Sequence, residues 1–177
     1  PRRTVSTDMP RAGVLIPLCN VDGEPAVLFT RRSQSVGSHK GQVSFPGGKQ
    51  DSGDESIVHT AVRETAEEVG IVGVRILGLF HDVVSVTGLA VTPVVGHVGT
   101  LDPATLQINR HEIDAAFALG IGALQDPAYR HVVRFSRGEY PVFSAGPWPV
   151  WGLTAMILDA FMNEVLVPAS SRDDARR

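Results

Sequence analysis

The sequence predicts an α/β domain, an α/β/α sandwich in which helices cover the faces of a mixed β-sheet. Two turn dipeptides, Asp22-Gly23 and Thr87-Gly88, each sit between apolar or β-branched runs, which is the pattern of a β-hairpin. One amphipathic helix occupies the centre, and strand-like runs precede and follow it without strict alternation, so the sheet is expected to mix parallel and antiparallel pairs. With 177 residues, 43% of them apolar, the chain has the length of one ordinary domain and enough apolar side chains for a sizeable core.

Residues 1–12 read as a flexible N-terminal tail and 169–177 as a C-terminal one, leaving 13–168 as the domain. Runs 14–19 and 26–30 form the first hairpin. A polar stretch follows, and a short strand at 42–45 leads into the loop Pro46-Gly47-Gly48. Residues 54–69 are the clearest helix, opened by an acceptor at Asp54 and closed by Gly70. Runs 74–86 and 89–98 make the second hairpin. A strand at 115–119, a helical turn at 121–124 and a strand at 140–143 come next. The last helix, 150–165, places Leu153, Ile157, Phe161 and Val165 at four-residue spacing.

Sixteen Lys and Arg face nineteen Asp and Glu, a formal net charge of −3 with no block of one sign. That argues against a nucleic-acid footprint or an anionic-membrane surface. The longest apolar runs fall well short of the ~20 residues a bilayer requires. A single cysteine, Cys19, cannot form an internal disulfide or a cysteine zinc cluster, and it reads as a small core residue. With no signal-like apolar stretch near residue 1, the expectation is an intracellular and most simply cytoplasmic protein, a removed organelle leader staying open because the chain does not begin with Met. The histidines His59, His81, His97, His111 and His131 show no metal-ligand spacing.

On a helical wheel Val58, Ala61, Val62, Thr65 and Val69 share one face of the central helix, while Glu64, Glu67 and Glu68 gather on another. Like charges at such spacing repel by a few tenths of a kcal/mol per pair. A hard divalent cation offsets that repulsion, since Mg²⁺ prefers carboxylate oxygens and keeps waters and substrate phosphates as further ligands. The plainer alternative is a solvated acidic face partly neutralised by Arg63. The loop Phe45-Pro46-Gly47-Gly48 just upstream favours the cation, because glycines let backbone groups approach a ligand closely.

These residues resemble the box of the Nudix hydrolases, G-x5-E-x7-R-E-U-x-E-E-x-G-U with U apolar. It is matched by Gly48, Glu55, Arg63-Glu64-Thr65-Ala66-Glu67-Glu68, Gly70 and Ile71, with six residues instead of five before Glu55 and Thr65 at an apolar position. Upstream, Leu28-Phe29-Thr30-Arg31-Arg32-Ser33, Gly41 and Phe45-Pro46-Gly47-Gly48 are similar to the coenzyme A pyrophosphatase branch, L-L-T-x-R-S-x3-R-x3-G-x3-F-P-G-G. Gly37 stands where that branch has an arginine. Residues 109–117 and Trp151-Gly152-Leu153-Thr154-Ala155 look like the same branch.

The resemblance implies a Nudix fold and a Mg²⁺-dependent pyrophosphohydrolase, with Mn²⁺ as an alternative ion. Its implied substrate is a small-molecule diphosphate, coenzyme A or acyl-coenzyme A, cut to 3′,5′-ADP and (acyl-)4′-phosphopantetheine. Glu64 and Glu68 would be the principal metal ligands, Glu67 would share a second ion, and the Gly48 carbonyl would complete a site. Arg63 would hold the carboxylates, and Glu112 resembles a distal acidic residue that acts as a fourth ligand or base. Arg31, Arg32, Ser33, His39, Lys40, Gly47, Gly48 and Lys49 would meet the substrate, with Arg31, Arg32, His39 or Lys40 standing in for the arginine absent at position 37. Rival readings are the same chemistry on ADP-ribose, a dinucleotide or a modified nucleotide, and a non-catalytic Nudix-like binding domain. The oligomeric state stays open, a homodimer included.

Overall fold

The computed structural model describes residues 6, 8–35, 39–136 and 138–167. The chain forms two compact units, Pro1–Ile121 and Gly122–Arg177. Expectations for position 37, most of the N-terminal tail and the C-terminal tail lie outside the described residues. No helix among the described residues is long and apolar enough to cross a membrane.

The first unit is built on two long strands, β1 (Arg11–Val21) and β2 (Glu24–Arg32), paired antiparallel. Their turn is the predicted one, because Asp22 and Gly23 both take positive φ, 52° and 85°, as a two-residue type I′ turn requires. β1 begins at Arg11, two residues inside the stretch read as a tail, and the Pro10 carbonyl accepts a bond from the Ala90 amide. Next come β3 (Val43–Ser44), β4 (Gly47–Lys49), helix α1 (Ile57–Val69), β5 (Arg75–Leu79), β6 (Val83–Val84), β7 (Ala90–Thr100) and β8 (Ile113–Gly120). The sheet runs β3-β2-β1-β7-β5, with β4 on β1, β6 on β7 and β8 on β2. β1 and β7 are parallel and the other pairs antiparallel, so the sheet is mixed as expected.

α1 opens later than the sequence suggests. Its cap is Ser56, whose hydroxyl accepts from the His59 amide at 3.1 Å, while Asp54 is engaged elsewhere. Gly70, at φ 72°, closes it in the left-handed conformation. Ala61 packs with Leu15 and Val94, and Val69 with Cys19, Leu28, Ile71 and Ile113. Thr65 is fully buried on the apolar face because its hydroxyl donates to the Ala61 carbonyl at 2.6 Å. Cys19 is buried as a core residue, and burial pushes its thiol up to about 11. The helix lies close on β1 at Gly13, where a Cβ would stand 2.5 Å from the Ile57 carbonyl oxygen.

α2 (Ile121–Gln125) leads out of the first unit. The second unit holds β9 (Arg130–Phe135) and β10 (Gly138–Phe143), an antiparallel hairpin, and α3 (Gly152–Phe161). Arg130 and Asp159 join hairpin to helix through bonds of 2.6 and 3.1 Å. β9 is absent from the sequence expectations because all six of its residues are exposed and no buried face imposes alternation on it. The single long helix expected at 150–165 instead ends at Phe161 and passes into a π-helical turn, Met162–Leu166.

The contact at Gly13 gives the first test. Gly13→Ala should destabilise the protein by about 1–3 kcal/mol through overpacking. Gly53→Ala, at a position with nothing within 4 Å, should change the melting temperature little. Thermal melts of both variants would check this, and equal effects would show that the close approach carries no strain.

Candidate active site

The site is the line where α1 meets β4. β4 pairs with β1 in the register Gly13↔Gly48 and Val14↔Gly47. The Leu15 amide donates to the Pro46 carbonyl and the Gln50 amide to the Arg11 carbonyl. In an antiparallel ladder, hydrogen-bonded and non-bonded pairs alternate, so Gly48 turns its amide and carbonyl toward β1 and Gly47 turns both outward. The outward Gly47 amide donates to Glu68 Oε2 at 3.2 Å. Of the two glycine carbonyls, that of Gly47 therefore lies on the side of the carboxylates. Gly48 serves by lacking a side chain, since a Cβ there would lie 2.3 Å from Glu64 Cδ.

Glu64, Glu67 and Glu68 differ in depth. Glu68 is 2% exposed, the Glu64 side chain 17% and the Glu67 side chain 51%. Burial pushes the Glu68 carboxyl up to about 8, against the opposing pull of the Gly47 amide and Arg32, while Glu64 and Glu112 push it further up. Glu64 is raised by burial as well, opposed by Arg63. Two desolvated carboxylates side by side are costly as anions, and a cation is what relieves them. Among the described residues no three His, Cys, Asp or Glu side chains are gathered closely enough to hold a metal by themselves. The all-oxygen donor set still fits a hard divalent ion, which needs only one or two carboxylates when waters and substrate phosphates complete its shell.

Arg63 is the hub of the surrounding charges. Nε and Nη2 grip both Asp54 oxygens at 2.9 Å, and Nη1 reaches Glu64 at 3.0 Å and Glu67 at 3.1 Å. Nη2 also donates to the Lys49 carbonyl at 3.4 Å. The bidentate bond to Arg63 holds the Asp54 carboxyl well below the usual carboxylate range, and Asp54 in turn raises Arg63 further. Thr60 adds a bond to Asp54 at 2.9 Å. Glu55 is exposed, and its amide faces His59 Nδ1.

Glu112 follows Asn109, whose side chain donates to it at 3.2 Å, and its charge is felt at both Glu64 and Glu68. Its carbonyl accepts from the Ser33 amide, which ties it to the end of β2. Ser33 itself is buried, with its hydroxyl accepting from the Ser35 amide. Arg31 binds the Gly41 carbonyl at 3.4 Å and faces Asp114 at 4.0 Å. His39, at φ 56°, pairs with Gln42 at 2.7 Å, while Lys40 and Lys49 are exposed. The structure thus brings Arg32, Gly47, Gly48, Arg63, Glu64, Glu68 and Glu112 together, and leaves Lys40 and Lys49 in solvent.

A family profile described as the NUDIX domain matches residues 9–132. The chain belongs to the Nudix family. The human protein named mitochondrial coenzyme A diphosphatase NUDT8 is 46% identical over 167 residues, covering 90% of this chain and 70% of that protein. A Photorhabdus laumondii protein named uncharacterized Nudix hydrolase NudL is 36% identical over 174 residues, 94% of this chain and 91% of its own length. Among solved structures, the MutT/nudix family protein from Enterococcus faecalis superposes with a TM-score of 0.59 at 17% identity, covering 94% of this chain and 65% of that one, a likeness of fold.

Membership in the Nudix family makes the irregular spacing of the box intelligible. Five residues separate Gly48 from Asp54, the family's own spacing, and Asp54 is what grips Arg63. The spacing carries that signal in the sequence, where the expectation that Asp54 opens the helix hides it; the cap is Ser56.

Asp54→Asn should weaken activity on the order of 10- to 100-fold by releasing Arg63 from its hold on Glu64 and Glu67. Glu55→Gln should leave it within about twofold, since its side chain is exposed. Steady-state kinetics with both variants distinguish the two positions. A pH test follows from Glu68. A folded carboxyl raised to about 8 contributes stability that is full below its ordinary value and lost as pH rises through 8. In chelator, the stability of wild type relative to Glu68→Gln should therefore fall by about 1–3 kcal/mol between pH 6 and pH 9. A pH-independent difference in their melts would contradict a carboxyl raised by burial.

Proposed function

We propose that the protein is a divalent-cation-dependent hydrolase that cleaves the diphosphate of coenzyme A or acyl-coenzyme A, releasing 3′,5′-ADP and (acyl-)4′-phosphopantetheine. The observation that carries this reading is the pair of desolvated carboxylates, Glu64 and Glu68, set against the outward backbone of Gly47 in a Nudix chain. The named human relative, alike over nine-tenths of the chain, supports the choice of substrate. Glu64 and Glu68 would hold the ion with the Gly47 carbonyl, in place of the Gly48 carbonyl expected from the sequence. Glu67, now turned to Arg63, would share a second ion. Mg²⁺ is the first choice for an all-oxygen site, with Mn²⁺ as the alternative.

A bound divalent ion supplies two things here, a lower water pKa and a counter-charge for the diphosphate. The remaining work falls to the chain. Glu112, held by Asn109, accepts the proton of the attacking water. Oxygen adds to one phosphorus, the bridging P–O bond breaks, and its electron pair leaves with the other phosphate. Arg63, fixed by Asp54, keeps Glu64 and Glu67 in place while charge moves. Arg31, Arg32, Lys40 and Lys49, with the imidazole of His39, are the groups within the loop and strand ends from which anionic groups would be met. The partner is thus a small molecule, and the setting an intracellular one, in keeping with a nucleotide-linked thiol substrate and with the mitochondrial designation of the human relative.

The deciding experiment is a panel of coenzyme A, 3′-dephospho-coenzyme A and ADP-ribose with Mg²⁺, products identified by mass. Coenzyme A should be cleaved about ten- to a hundredfold more efficiently than its dephospho form, the worth of one charge-assisted contact to the 3′-phosphate. Equal rates on those two with faster cleavage of ADP-ribose would move the enzyme to another nucleoside diphosphate. Glu64→Gln should lower turnover on the order of 10³-fold, and Glu112→Gln should lower kcat far more than it raises KM. Wild-type kinetics for Glu112→Gln across pH would return that residue to the surface.

A further inference from the structure

Beside the carboxylates lies a cation with an unpaired donor. Arg32 ends β2, and among the described residues its buried Nε has no hydrogen-bond partner. Ala26 and Leu28 of the same strand pack in the cluster that contains Val69 of α1. Side chains alternate along a strand, so Ala26, Leu28, Thr30 and Arg32 form one row on the face that α1 covers. The irregularity in pairing near this point is an extra residue on β8, because Arg31 pairs with Ala115 and Arg32 with Ile113, so β2 keeps its alternation. Glu68 is buried within reach of the Arg32 charge, which favours its carboxylate. Neighbouring Arg31, by contrast, is already bound to the Gly41 carbonyl and Asp114.

A buried guanidinium nitrogen left unpaired is expensive, and no group among the described residues accepts from it. We propose that Arg32 is the internal counter-charge of the cation site, balancing Glu68 while the site is empty of metal and giving its spare donor to a diphosphate oxygen once a divalent ion has taken over that task. Cation and anion then bind cooperatively. The ion relieves Glu68 of its need for Arg32, the freed Arg32 meets the anion, and by linkage the anion strengthens the ion's hold in equal measure. The groups that face this exchange are Glu68, Glu64 and Glu112 on one side and Arg32 on the other. The inference rests on Glu68 being a ligand of the cation.

The test measures Mn²⁺ binding by electron paramagnetic resonance at pH 8.5 without substrate, alongside KM at saturating Mg²⁺. Removing a competing positive charge should make Arg32→Gln bind Mn²⁺ about three- to tenfold more tightly while its KM rises about tenfold or more. Arg32→Lys keeps the charge but not the planar fork, so it should hold wild-type Mn²⁺ affinity and still raise KM. A residue with a merely structural part would weaken both kinds of binding together. Unchanged or weaker Mn²⁺ binding in Arg32→Gln, with Glu68→Gln losing the ion, would overturn the counter-charge alone. Should Arg32→Gln fail to fold, a change of Mn²⁺ affinity in Arg32→Lys would overturn it equally. Wild-type Mn²⁺ binding in Glu68→Gln would overturn the cation site itself.

Discussion

The site depends on how closely the backbone of α1 can lie against β1 and β4. Gly13 admits the Ile57 carbonyl, Gly47 admits the β1 backbone, and Gly48 admits the Glu64 carboxylate, each at a distance that a Cβ would forbid. Three side chains are thus omitted so that a helix can press its acidic edge onto a strand. The consequence is electrostatic. Carboxylates that would be ordinary surface charges on a free helix become desolvated, and among the described residues the outward amide of Gly47 is the backbone group that answers Glu68.

The surrounding charges read as a response to that burial. Arg63 draws together Asp54, Glu64, Glu67 and the Lys49 carbonyl, holding the helix edge and the chain after β4 as one body. Asp54 is itself almost wholly enclosed and further fixed by Thr60, so the guanidinium is pinned before it meets the glutamates. Folding and function are opposed here. A protein shaped for stability alone would not bury like charges side by side, whereas one shaped to seize a divalent ion gains affinity from that same misfit.

Much of this was legible in the sequence for identifiable reasons. The first hairpin rests on Asp22-Gly23, whose residues are suited to the positive φ they adopt. α1 has a long apolar stripe and a glycine stop, and its glutamates share an edge because helix geometry leaves them no alternative. What stayed hidden was imposed by tertiary pairing. Gly-Gly-Lys has no strand propensity, yet it becomes β4 because β1 supplies a ladder. β9 has no buried face to mark it, and it exists by pairing with β10. The parity of the β4 ladder decides which glycine carbonyl faces the carboxylates, and no one-dimensional pattern carries that information. Asp54 was concealed by its own suitability, since an aspartate just ahead of a helix reads first as a cap.

The proposed ion site lies between the buried edge of α1 and the outward backbone of β4. Anomalous scattering from a Mn²⁺-soaked crystal locates such an ion directly. A peak is expected within coordination distance of Glu64, Glu68 and the Gly47 carbonyl oxygen. A peak at another group of residues, or none at Mn²⁺ concentrations that support catalysis, would contradict it.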